Sequence, residues 1–294
     1  MKEKSNILNR ILSTSTGFLV LFCSASLFAS SPHEQQPHQT KQQQALPQDS
    51  RVPGGIAVIA LTGLSNTATV TFNDKPVWKI TGQSNQQWAI IGIPLGQKPG
   101  KVQYKINGEE HFFEVKNKAY KEQYLTVKKK HANPPEAQIK RIQKESRLSH
   151  QAFNQFSDIN QGSRYKHFIW PTQGPISSPF GLKRFFNQQA RRPHSGIDIA
   201  APRGAEIVAP LDGEIILTGD FFFNGNSIFI DHGQGLITMY CHMDKLESKQ
   251  GQKVKAGDLI GKVGSTGRAT GPHLHWTVSL NNTRIEPLLF LQPN

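Results

Sequence analysis

The chain has 294 residues, 36% of them hydrophobic and 19% charged, with 34 Lys and Arg against 21 Asp and Glu for a formal charge of +13. That length supports one large or two modest packed domains, and the composition is too polar for a multi-span membrane protein. The positive balance favours a polyanionic partner. With no spaced Cys/His finger, basic heptad region or aromatic RNP-like strand in the sequence, an anionic cell envelope is preferred over nucleic acid.

The first element is a leader. Lys2, Lys4 and Arg10 precede an apolar run from Gly17 to Ala29 that ends in small residues. This is the form of a secretory signal peptide, assigned to 1–29, and the run is short for a bilayer span. Export to the periplasm or cell envelope is therefore expected, with no transmembrane segment after cleavage. Cys23 lies in the leader, so Cys241 stands alone in the mature chain and no intrachain disulfide is available. Residues 30–52 are rich in Gln and Pro and read as a disordered linker.

From 53 to 118, short runs such as GIAVIAL, TATVTF, PVWKI, QWAIIGI, KVQYKI and HFFEV alternate with turn residues. They predict a small β-sandwich-like domain. A linker, 119–165, follows. It carries the basic run Lys128 to His131, and a helix start is expected at Asn133-Pro134-Pro135-Glu136. Ile139, Ile142, Phe153 and Phe156 at near-helical spacing predict one amphipathic helix from about Pro134 to Phe156, docked on a domain. Residues 166–294 are β-rich again, with AEIVAP, GEIILTG, NSIFIDHG, LITMYCHM and DLIGKVG separated by Gly turns. This is a second, larger all-β domain.

The chemistry-bearing residues lie in that domain. In PHLHW, a strand places His273 and His275 on one face, with Leu274 and Trp276 on the buried side. Upstream, His194 and Asp198 are four apart, with Gly196 between them and Ile197 and Ile199 flanking the carboxylate. A catalytic zinc takes three N or O ligands, and His194, Asp198 and one histidine of the HLH pair supply that set. In MYCHM, alternation puts Tyr240 and His242 toward the polar side and makes Cys241 a packed core thiol. A serine hydrolase built on Ser195 is excluded by the absence of a G-x-S-x-G elbow.

HxxxD, YCHM and GPHLHW in this order, with SSPFG, HSGIDIAAPRGAEIVAP, GNSIFIDHGQG and KVKAGDLIGKVGSTGRATGPHLHW around them, resemble the lysostaphin-type (LytM-like) zinc metallo-endopeptidases of bacterial cell walls. The resemblance covers about Trp170 to Leu291. It implies an antiparallel all-β catalytic domain with the duplicated hybrid motif of that family. It also implies one Zn2+ per chain on His194, Asp198 and His275, with His242 and His273 as the non-ligand catalytic pair. The substrate implied is the stem peptides of peptidoglycan, with a D,D-endopeptidase favoured by the N-terminal β domain and helix, and the chain is expected to act as a monomer. The runner-up is an inactive wall-binding or amidase-activating protein of the same fold. The loop Gly181 to Pro193 resembles a cleft wall, which makes Arg184 and Asn187, with Tyr240, candidates for holding substrate. Two departures are visible: Cys241 stands where the family has Gly or Ala, and Thr277 where it often has Glu, which puts a hydrogen bond to the last ligand in question.

Overall fold

The computed structural model describes residues 44–82, 85–126, 134–159 and 165–293. The leader, most of the Gln/Pro-rich linker, the Lys128 to His131 run and the Asn133 cap lie outside the described residues. Two small sheets come first. Strands β1 (Ile56–Ala60), β4 (Trp78–Thr81) and β5 (Gln87–Gly92) pair in the order β1-β5-β4. Strands β2 (Val70–Phe72), β3 (Lys75–Pro76), β6 (Gly100–Ile106) and β7 (Glu109–Val115) form a second sheet, β3-β2-β6-β7. Val70, Val102, Tyr104 and Phe113 of one sheet meet Ala57, Ala89 and Ile91 of the other. This is the inward face that period-2 alternation dictates.

The opposite face of the β1-β5-β4 sheet is also buried. Ile56, Trp78, Ile80 and Ile90 join the main core, where Trp78 meets Tyr165 edge-on at 5.2 Å and stacks on Phe290 at 6.4 Å. Polar bonds cross the same seam. The Lys79 N–H donates to Gln234 Oε1 and Gln234 Nε2 donates back to the Lys79 carbonyl, at 3.0 and 3.2 Å. The described residues form one compact unit.

The main sheet is antiparallel and built on β14 (Gly213–Phe221), β15 (Gly225–Asp231), β16 (Leu236–Leu246), β19 (Leu274–Leu280), β12 (Ile197–Ile199) and β9 (Ile176–Ser178), in that spatial order. Strands β17 (Lys253–Val254), β13 (Glu206–Val208), β18 (Leu259–Val263) and β20 (Thr283–Ile285) extend it. Strand β8 (Glu122–Leu125) pairs in parallel with β10 (Lys183–Phe186), which turns back as β11 (Gln189–Ala190). The loop expected at 181–193 is therefore largely a hairpin. Asn187 and Gln188 form its turn at φ 51° and 65°, the left-handed pair that tight hairpins require.

A 3-10 turn (Glu136–Gln138) leads into helix α1 (Ile139–Phe153), so the helix ends at Asn154 and Phe156 lies beyond it. It docks on the β14–β15 hairpin. Arg141 reaches Asp220 at 3.1 Å, Glu145 accepts the Phe222 N–H at 2.8 Å, and Phe153 packs edge-on against Phe229. Among the described residues no helix is long and apolar enough to cross a membrane.

Two outcomes follow from this packing. Trp78→Ala should destabilise the whole chain by about 3–5 kcal/mol while unfolding stays a single transition, as followed by fluorescence and circular dichroism in denaturant. A separate early transition would mean that the N-terminal sheets unfold on their own. The second outcome concerns His232, which is buried between the Asp212 carbonyl and the Thr238 hydroxyl, each at 2.8 Å. Burial pushes its pKa down to about 4. The unfolded chain binds this proton more readily, so the stability is present above about pH 6.5 and is lost as pH falls through about 4. The loss amounts to ~3 kcal/mol at its limit. Denaturant midpoints for wild type and His232→Gln should converge as pH drops across that window, and parallel curves would remove His232 as a source.

Candidate active site

Strand register assembles the site. Asp198 on β12 lies directly opposite His275 on β19, and Cys241 on β16 lies opposite His275 from the other side. Residues opposed in an antiparallel pair share a face with their Cβ atoms about 5 Å apart, so the Asp198 carboxylate meets the His275 imidazole. Leu274, Trp276, Val278 and Leu280 point the other way into the core. His194 comes from the segment before β12. Gly196 lets that segment pass against β19, because a Cβ there would collide with the Trp276 carbonyl.

Three donors meet at one point. His194 Nε2 is 3.0 Å from Asp198 Oδ1 and 3.0 Å from His275 Nδ1, and His275 Nδ1 is 2.8 Å from Asp198 Oδ1. The far side of each ring is engaged. His194 Nδ1 donates to the Pro179 carbonyl at 2.8 Å, and His275 Nε2 donates to Thr277 Oγ1 at 2.9 Å. These bonds fix the tautomers so that two imidazole lone pairs and a carboxylate oxygen face one another. Three inward lone pairs repel unless a cation lies between them, and the N, N, O donor set fits a first-row divalent ion. Thr277 thus supplies the hydrogen bond to His275 that the sequence put in question.

His242 reaches the site through a bulge. Asn226 pairs with Met243 and Ile228 with Tyr240, so Cys241 and His242 together oppose the single Ser227. His242 has φ 62°, uncommon for a residue with a side chain, and its N–H leaves the ladder for the Asn224 carbonyl at 2.7 Å. Its ring turns into the cleft, 4.7 Å from the His273 ring and 6.3 Å from that of His275. His242 Nδ1 donates to the Thr266 carbonyl at 2.8 Å and His273 Nδ1 to the Gly271 carbonyl at 2.9 Å. The Nε2 atom of each ring is therefore the one left for chemistry. Burial holds the His242 imidazole neutral, its pKa pushed down to about 4.

The same bulge corrects the reading of MYCHM. Tyr240 does not face the polar side. It is fully buried, bonded through its hydroxyl to Thr238 at 2.9 Å, and no part of the cleft. Alternation breaks at this point because β16 gains a residue relative to β15. Cys241 is a packed core thiol as expected, 1% exposed and pushed up to about 12 by burial, but it lies on the His275 side beneath Phe153 and Met239. Asn187 is likewise no part of the cleft lining and is held in its hairpin turn. Arg184 does reach the site. It donates to Ser178 Oγ at 2.7 Å and lies 3.5 Å from Asp198 Oδ2.

The cleft encloses about 1080 Å³ around His194, Asp198, His242, His273 and His275. Gln123, Ser149 and Phe153 also line it, although they lie outside the segment that carries the sequence motif. Nothing in their local sequence marks them, since β8 and α1 are brought there by long-range pairing.

Comparison with known proteins follows this geometry. Residues 192–287 match Peptidase family M23, and residues 49–118 match the Peptidase family M23 N-terminal domain. The chain is 42% identical over 118 residues to the DD-carboxypeptidase/endopeptidase Mpg of Neisseria meningitidis serogroup B, covering 40% of this chain and 27% of that protein. It is 42% identical over 102 residues to the peptidoglycan DD-endopeptidase ShyA of Vibrio cholerae, covering 34% of this chain and 24% of that one. The chain thus spans about a quarter of the length of these curated relatives. A crystal structure of a candidate peptidase M23 from Pseudomonas aeruginosa superposes with a TM-score of 0.70 at 38% identity, covering 83% of this chain and 96% of that one. With that match across nearly the whole of a solved chain, and with the antiparallel all-β architecture of the lysostaphin type, this protein belongs to peptidase family M23.

Proposed function

We propose that the protein is a zinc metallo-endopeptidase that hydrolyses peptide cross-links of bacterial peptidoglycan, acting as a D,D-endopeptidase in the periplasm or cell envelope. The observation that carries this reading is the convergence of His194, Asp198 and His275, with His242 and His273 beside them in one cleft. His194 Nε2, Asp198 Oδ1 and His275 Nδ1 would hold the zinc. Bound there, it would supply Lewis-acid polarisation of the scissile carbonyl and a lowered pKa for a bound water.

Hydrolysis of an amide adds water across the C–N bond, so one proton must leave the water and one must reach the departing amine. The Nε2 atoms of His242 and His273, left open by the Nδ1 bonds to Thr266 and Gly271, support these two roles. His242, kept neutral by burial, enters as the acceptor, and His273, on the more open side, takes a second proton from solvent on Nε2 and donates it to the developing oxyanion and then to the amine. Arg184, bonded to Ser178 and beside Asp198, orients the substrate backbone. The +13 charge suits an anionic envelope. The names of the curated relatives favour the D,D bond, and all five site positions being filled and convergent speaks against the inactive alternative.

Four measurements check this reading. Elemental analysis of the purified protein should find about one zinc per chain, and His275→Ala should lose both the metal and activity. A wild-type protein that takes up no zinc at neutral pH would sink the metallopeptidase. His242→Ala should keep its zinc while turnover on purified sacculi falls ~100-fold or more, and loss of metal in that variant would reverse the division between ligands and catalysts. Thr277→Val should weaken zinc binding ~10-fold or more in a competition titration, with Thr277→Ser close to wild type. Mass spectrometry of the products from sacculi identifies the bond that is cut.

A further inference from the structure

Beside the metal centre, between the β10–β11 hairpin and helix α1, lies a side chamber of about 640 Å³. Four arginines line it: Arg184, Arg191, Arg192 and Arg268. Three of them, Arg184, Arg192 and Arg268, also line the cleft that holds the histidines, so the chamber opens directly onto the site. The lining carboxylate is Glu145 on the helix wall, and it is already paired with Arg141. It is 14% exposed and accepts from Arg141 Nε at 2.6 Å and from the Phe222 N–H at 2.8 Å. Among the described residues, Arg192 and Arg268 form no ion pair.

Arg268 is held in place without a counter-charge. Its guanidinium lies over the Phe223 ring at 4.5 Å, and its backbone N–H donates to the Phe223 carbonyl at 2.9 Å. Stacking fixes the plane of the fork and leaves its N–H edge for a ligand. Like charges gathered in a partly enclosed space raise the free energy of the empty chamber, and an anion entering it relieves that repulsion. Planar guanidinium forks match carboxylates in a bidentate manner, which a lysine cluster would not do.

We infer that this chamber is a carboxylate-recognition subsite, in which Arg192 and Arg268 bind free carboxylates of the cross-linked stem peptides and so set which cross-link enters the cleft. The inference rests on the peptidoglycan reading above. It assigns specificity to residues outside the metal-binding and proton-transfer sets.

The test uses the full-length, zinc-loaded chain and two probes: a soluble cross-linked muropeptide dimer, and the same dimer with its free carboxylates converted to amides. Equilibrium binding is measured on His242→Ala, and kcat and KM on the wild type. The native dimer should bind at least ~10-fold more tightly than the amidated one, and the preference should shrink as salt rises. Arg268→Gln and Arg192→Gln should each lower kcat/KM on the native dimer ~10-fold, chiefly through KM, with zinc content and turnover of the amidated dimer unchanged. Arg268→Lys, which keeps the charge but not the fork, should recover only part of the loss. Equal binding of the two dimers, or equal losses on both in the arginine variants, overturns the subsite. If neither dimer is cleaved but the carboxylate preference in binding holds, the proposed function fails and the subsite stands.

Discussion

Asp198 is the point on which the structure turns. Its Oδ1 lies within 3.0 Å of two imidazole nitrogens whose tautomers are set from behind by Pro179 and Thr277. Three lone pairs aimed at a common centre are unfavourable in a partly buried place unless a cation neutralises them. The rest of the fold holds this arrangement against its own repulsion. The pairing of β12 with β19 fixes the carboxylate beside His275, and the close approach at Gly196 brings His194 over the same spot.

His242 and His273 are placed by different means. His273 follows from ordinary alternation at the head of β19. His242 depends on a bulge and a left-handed backbone, at the place where β16 exchanges its partner β19 for β18. Strain concentrated at that residue, and countered by bonds to Asn224 and Thr266, is a common way for a site to aim a side chain that the regular sheet would bury.

The N-terminal sheets are structurally part of the same unit. Trp78 and Ile56 share a core with Tyr165, Phe290 and the face of β19 opposite the site, while β8 and α1 supply two walls of the cleft. The face of β19 that carries His275 and the face that carries the core therefore report on each other. A disturbance in the sandwich would be felt one side chain away from the His194, Asp198 and His275 cluster.

Much of this was legible in the sequence because its signals are local. Period-2 alternation in PHLHW put the two histidines on one side, and HxxxD with an intervening glycine supplied the remaining donors. The antiparallel all-β class followed from short apolar runs between turn residues. Tertiary structure decided what alternation alone misassigns. Tyr240 entered the core and His242 the cleft because a residue is added to one strand, which only its pairing partner reveals. Asn187 became a hairpin turn, and Gln123, Ser149, Arg192 and Arg268 became cleft walls, because distant segments pack there. Such residues carry no periodic signature. Their roles depend on long-range contacts, and those form only when the chain closes on itself.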